Sequence, residues 1–193
     1  MRVGAILPAL SAALALAPVG CGNARQHPPP LGRIGPPGPF VAYANTHDGV
    51  SFGHPQSWIA VSGRAPLVVK LEQGSALVAI YRYPRTDLPL GPAGVEHSRR
   101  RLLGSLARRA PSFRVESSDV TAIDSAPAVE IRGSGRIGRQ RVRSLSVHVY
   151  KSKAEFVIDA YAAPRVFDRA ERVAFDPLLD SLQLRNPLPV TPG

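Results

Sequence analysis

The stretch VRSLSVHVYKSKAEFVIDAYA, Val142 to Ala162, decides the fold of this chain. Val142–Tyr150 alternates, with Leu145, Val147 and Val149 on one face and Ser144, Ser146, His148 and Tyr150 on the other. That period of two belongs to a strand covered on one side. Glu155–Ala162 is a second strand, and Lys151-Ser152-Lys153 between them leaves room only for a tight turn, so the pair is a hairpin. Antiparallel pairing of sequence neighbours is therefore the rule to extend along the chain.

Upstream, Leu67–Leu71 and Ala76–Tyr83 flank Gln73-Gly74 and read as another hairpin. In its second strand Leu77, Ala79 and Tyr81 share one face and Val78, Ile80 and Arg82 the other; both are largely apolar, so this strand is covered on both sides. Between the hairpins lies a helix, with Pro92 near its start and Pro111 ending it. Val95, Leu102, Leu103, Leu106 and Ala110 recur along it at three- and four-residue steps. Phe113–Glu116, Asp119–Ile123 and Ala128–Arg132 follow as extended segments, and Gly133-Ser134-Gly135 opens a connection. After Ala162 the chain turns helical. Val166–Val173 forms one segment, and Asp176-Pro177 reads as an N-cap and first-turn proline of a second, with Leu178, Leu179 and Leu182 on one face. The residues predict an α+β domain: a mainly antiparallel sheet with a mid-chain and a terminal helix packed on it.

The N-terminus is an address. Met1 and Arg2 precede an apolar run from Val3 to Val19, and Cys21, the single cysteine of 193 residues, stands directly after Gly20. A positive start, an apolar core and small residues make an export signal. Three readings compete. A membrane-spanning anchor needs about 20 apolar residues, and this run is shorter and interrupted by Pro8 and Pro18. Cleavage by the general signal peptidase after Ala15-Leu16-Ala17 would place Pro18, a poor residue, just past the cut. Acylation of Cys21 with cleavage before it is preferred, although Pro18 stands where bacterial lipoproteins usually carry leucine. More than one acyl chain on that cysteine gives stable membrane residence.

This divides the chain into a signal peptide 1–20, a Pro/Gly-rich tether 21–45 beginning at the lipidated Cys21, a folded domain 46–187 and a frayed tail 188–193. The tether sequence GNARQHPPPLGRIGPPGPF excludes helix and inner strand and favours extended, semi-rigid chain. The expected location is the extracytoplasmic face of a cell membrane, lipid-anchored, with secretion as the alternative.

Charge offers a second clue. The formal net charge is +10, or +9 once Arg2 leaves with the signal. Arg99, Arg100, Arg101, Arg108 and Arg109 form a group without an acid between them, and Arg136, Arg139, Arg141 and Arg143 a second. The first group is the candidate for contact with an anionic surface or envelope polymer, against a merely solvated face. Nucleic acid is not expected as a partner: an exported protein rarely meets it, and no aromatic residues interleave with the arginines.

Chemistry is sparse. The chain has no G-x-S-x-G, and His27, His47, His54, His97 and His148 lack metal-like pairing. His47, Asp48 and His54 make the nearest approach to a cluster and read as ordinary surface residues. The His148 stripe reads as a partly exposed sheet face, with a pocket under a helix as the other possibility. No metal, cofactor or catalytic residue is expected, and the protein is not expected to be an enzyme.

Three motifs carry a resemblance. Gly49-Val50-Ser51-Phe52-Gly53-His54-Pro55-Gln56-Ser57-Trp58 is similar to the opening of the PsbP-like superfamily, which includes Mog-type Ran-binding proteins and LpqN-like bacterial lipoproteins. Ser125–Ile131 resembles a later strand of that family, and Phe175–Leu182 its closing helix. The resemblance implies an antiparallel sheet sandwiched by helices, α/β/α, and a non-catalytic binding or accessory domain. Its alternatives are an extracytoplasmic small-molecule or lipid-binding protein with a pocket between sheet and helix, and a hydrolase with a dispersed site.

Overall fold

The computed structural model describes residues 34–35 and 38–187 of the chain. The signal, Cys21 and the tail 188–193 lie outside the described residues. Among these residues the strands form two antiparallel sheets. The small one takes β1 (Phe40–Asn45), β2 (Val50–Pro55) and, from the far end of the chain, β10 (Gln183–Leu184), in the order β1-β2-β10. The large one takes β3 (Ile59–Ser62), β4 (Leu67–Gln73), β5 (Ala76–Pro84), β6 (Arg114–Ile123), β7 (Ala126–Ile137), β8 (Gln140–Lys151) and β9 (Ala154–Ala162). Its order is β3-β4-β5-β9-β8-β7-β6.

The predicted hairpin is β8–β9, with Lys151 opposite Ala154 and Val147 opposite Ile158. Ser152 and Lys153 both take positive φ, 55° and 53°, the condition for the type I′ turn whose twist matches the flanking strands. Asp124 and Ser125 turn β6 into β7 the same way.

Period two then sorts the side chains. Leu145, Val147 and Val149 of β8 and Phe156, Ile158 and Ala160 of β9 enter the main core with Val78 and Ile80 of β5. Covering them are α2 (Pro164–Ala170), a π-helical stretch (Glu171–Phe175) and α3 (Asp176–Ser181), which bring Phe167, Phe175 and Leu178. Phe175 meets Trp58 and Phe167 edge-on at 5.9 and 5.8 Å. The opposite face is packed by α1 (Gly91–Arg109), whose Val95, Leu102, Leu103 and Leu106 meet Val129, Ile131 and Tyr150. The architecture is the expected α/β/α sandwich. β5 is buried on both faces: Leu77 and Ala79 join a separate cluster with Val142 and Tyr161.

Three expectations change. The folded part starts before Thr46, because β1 is residue for residue the partner of β2 and Ile34 enters the core. Gly133-Ser134-Gly135 is no connection: β7 runs through it, and the glycines are there because the Phe113 ring lies on them. A Cβ on Gly133 would stand 2.6 Å from that ring, and one on Gly135 2.8 Å. Asp176 is no cap either. The chain passes helically from α2 through the π stretch into α3, with Asp176 itself at helical φ and ψ. Arg143, on the core-facing parity of β8, is covered by α2. Its guanidinium lies 4.7 Å from the Phe167 ring centroid and pairs with Asp168 of α2 at 2.5 Å.

Candidate functional site

Geometry leaves one sheet face incompletely covered. Seven strands spaced about 4.8 Å apart span roughly 30 Å, while one helix with side chains is about 10–12 Å across. α1 lies over β6 and β7, so the same face of β8, β9 and β5 is a trough. Its volume is about 900 Å³, within the range of small-molecule sites. Arg101, Ser105, Arg108 and Arg109 of α1 form one wall, the turn from Arg64 to Leu67 another, and Tyr81, His148 and Asp159 belong to the floor.

The floor is wired. Glu155, 4% exposed, accepts from His148 Nδ1 at 2.8 Å and Arg85 Nε at 2.9 Å, with Arg85 Nη2 also on its Oε2. Burial pushes this carboxyl up, but His148 and Arg85 outweigh it and hold it at about 2. Glu155 is therefore ionised at neutral pH. Two residues along the cleft face of β8, Ser146 Oγ donates to Asp159 Oδ1 at 2.6 Å and stands 3.4 Å from His148 Nε2. Hydroxyl, imidazole and carboxylate thus follow in the order of a nucleophile relay. With its hydrogen on Asp159, however, Ser146 offers His148 only lone pairs. Strand pairing on both sides of β8 also occupies the nearby backbone amides that would form an oxyanion hole. The network fixes side chains and charges; it does not present an activated oxygen.

Five arginines line this cleft (Arg64, Arg85, Arg101, Arg108 and Arg109) against two carboxylates, Glu155 and Asp159. Arg85 is taken by Glu155. Arg64, Arg101 and Arg108 have no ion pair among the described residues, and Arg109 donates only to the Ser105 carbonyl, at 3.4 Å. The site is a positive trough with free guanidinium groups.

A second lobe of about 370 Å³ continues from it, sharing Tyr81, Leu102, Arg109, His148 and Asp159. Leu106, Phe113, Ile131, Ile137, Val142 and Tyr161 give it largely apolar walls.

The sequence-predicted arginines divide. Arg101, Arg108 and Arg109 line the cleft; Arg99 and Arg100 do not. Arg99 is spent on Glu96, at 2.8 Å, and on the Ser118 carbonyl, and Arg100 points to Glu96 at 3.8 Å. The His148 stripe lines the cleft rather than an open sheet face, with the His148 side chain 14% exposed. His54 is buried with its Nδ1 3.0 Å from the Pro55 carbonyl, whereas His47 is exposed beside Asp48. No metal-holding group of three or more His, Cys, Asp or Glu occurs among the described residues. Cys21 lies outside them. Sequence reading missed Arg64, Arg85, Glu155 and Asp159. The one available signal was two acids four apart on one face of an otherwise apolar strand.

No protein-family model and no curated protein matches the sequence. Among solved structures, the cyanobacterial PsbP (CyanoP) of Synechocystis superposes with a TM-score of 0.59 at 16% identity, over 80% of this chain and 99% of that one. LpqN, involved in cell envelope biogenesis of Mycobacterium tuberculosis, matches with a TM-score of 0.52 at 11% identity, over 76% and 85%. The yeast Ran-binding protein Mog1p matches with a TM-score of 0.50 at 6% identity, over 77% and 96%. Element order, sheet topology and these superpositions agree: the chain has the PsbP-like fold.

Proposed function

We propose that the protein is a bacterial cell-envelope lipoprotein, held at the extracytoplasmic face through Cys21, whose PsbP-like domain binds an anionic ligand in the cleft beside α1. One observation carries this reading: Arg64, Arg101 and Arg108 converge on an open trough without acidic partners among the described residues. A guanidinium left without an acidic partner at a concave site, even a solvent-exposed one, favours carboxylate, phosphate or sulfate. A wholly filled sandwich would have favoured an accessory module acting through its surface; the trough favours the pocket reading. The envelope role of LpqN, a neighbour in fold, supports the location.

The anionic dye 1-anilinonaphthalene-8-sulfonate tests the site. The full chain should enhance its emission in a salt-sensitive manner. Arg101→Gln with Arg108→Gln should weaken binding about tenfold or more, and Arg99→Gln with Arg100→Gln should leave it unchanged. Equal loss in both pairs, or in neither, contradicts the reading.

A hydrolase is the second reading: Ser146, His148 and Glu155 stand in relay order, and it would need the Ser146 hydrogen to leave Asp159 for His148. It requires a fluorophosphonate to label the protein at Ser146 and Ser146→Ala to abolish labelling. Absence of labelling at Ser146 removes it.

A further inference from the structure

The cleft is two-natured along its length, and that asymmetry specifies more than charge. This inference rests on the reading of the trough as an anion site and adds what the rest of the ligand must be. The polar lobe holds the free guanidinium groups of Arg64, Arg101 and Arg108. The second lobe opens from it past Leu102 and Tyr81 and holds the apolar side chains of Leu106, Phe113, Ile131 and Val142; Arg136 is the one charged residue that it adds. A small inorganic anion would satisfy the first lobe and leave the second as solvated apolar wall. We infer that the site takes a single-chain anionic amphiphile, with its carboxylate, phosphate or sulfate head at the α1 arginines and its hydrocarbon tail in the lobe beneath Leu106 and Phe113. The tail displaces water from apolar surface. The head supplies the counter-charge that these arginines lack among the described residues.

Alkyl phosphates, used as monomers below their micelle-forming concentrations, provide the test by titration calorimetry on the full chain. Inorganic phosphate, butyl, octyl and dodecyl phosphate should bind with increasing affinity, by about fourfold per methylene while the lobe fills. Ser144→Phe, which fills the lobe from its floor, should flatten the series while leaving inorganic phosphate unaffected. Ile137→Gln, at the end of β7, makes the lobe polar without adding charge and serves the same purpose should the first variant fail to fold. Arg101→Gln with Arg108→Gln should weaken every member.

Equal affinity across the series, with no effect of either lobe variant, overturns the amphiphile while the anion site stands. No binding by any member overturns both. Dodecyl maltoside binding as tightly as dodecyl phosphate overturns the anionic head. Sedimentation with phosphatidylglycerol vesicles without monomer binding also overturns the inference, because it places the ligand in a bilayer surface.

Discussion

Glu155 is the residue on which the cleft floor turns. A buried carboxylate is tolerated only when paired and hydrogen-bonded, and His148 and Arg85 do both. Its pKa is lower folded than unfolded, so it adds stability above the ordinary carboxylate range. That contribution is lost as pH falls from about 4.5 towards about 2. Arg85 is 42% exposed, which screens the pair, and the effect is on the order of 2–3 kcal/mol at neutral pH. Glu155→Gln should therefore lower stability by about that amount at pH 7, measured by denaturant unfolding. The gap to the parent should shrink between pH 5 and pH 3. A gap independent of pH would show that the carboxylate charge contributes nothing. The alternation of β8 was legible because Leu145, Val147 and Val149 mark one face through the middle of the strand. The partners of Glu155 were not, since Arg85 is 70 residues away and only strand order brings them together.

At the level of elements, the short β10 closes the small sheet through few contacts, and a clasp from another part of the fold holds it. Asp124, in the β6–β7 turn, accepts from the Leu184 amide at 2.7 Å and the Lys151 ammonium at 2.7 Å. Burial would raise this carboxyl, but those two donors outweigh it and hold it below the ordinary range. Gly49 adds a second hold: its carbonyl accepts from the Arg185 amide at 2.8 Å. With φ +68°, it leaves no room for a Cβ, which would stand 2.1 Å from the Arg185 carbonyl oxygen. Asp124→Asn keeps the tolerance for positive φ and removes the charge. It should cost about 1–2 kcal/mol and speed hydrogen exchange at Leu184 ahead of β8. Unchanged exchange at Leu184 would mean that the clasp bears no load. Elements with clean periodicity, α1 and the two hairpins, were readable from sequence. The run through Gly133 was not, because the reason for glycine there is a ring contributed by Phe113, outside the strand.

At the scale of the molecule, one helix on a seven-stranded face makes the cleft inevitable, and the α/β/α layering expected from the PsbP-like resemblance is the one observed. The cleft itself was not legible: helical periodicity placed α1 on the sheet but not over which strands. Anchoring belongs to this scale as well. Cys21→Ser should shift the protein from the membrane to the soluble fraction or leave an unprocessed precursor. A parent protein that is equally soluble and begins downstream of Cys21 would refute acylation. The most direct measurement of the ligand site is an amide chemical-shift titration of the full chain with monomeric octyl phosphate. Shifts are expected at Arg64–Leu67, the Arg101–Arg109 wall of α1, the β8 and β9 floor around His148 and Asp159, and the apolar lobe of Phe113, Ile131, Ile137 and Val142. Shifts centred on Arg99 and Arg100, or spread evenly over the basic surface, would contradict the cleft as the ligand site.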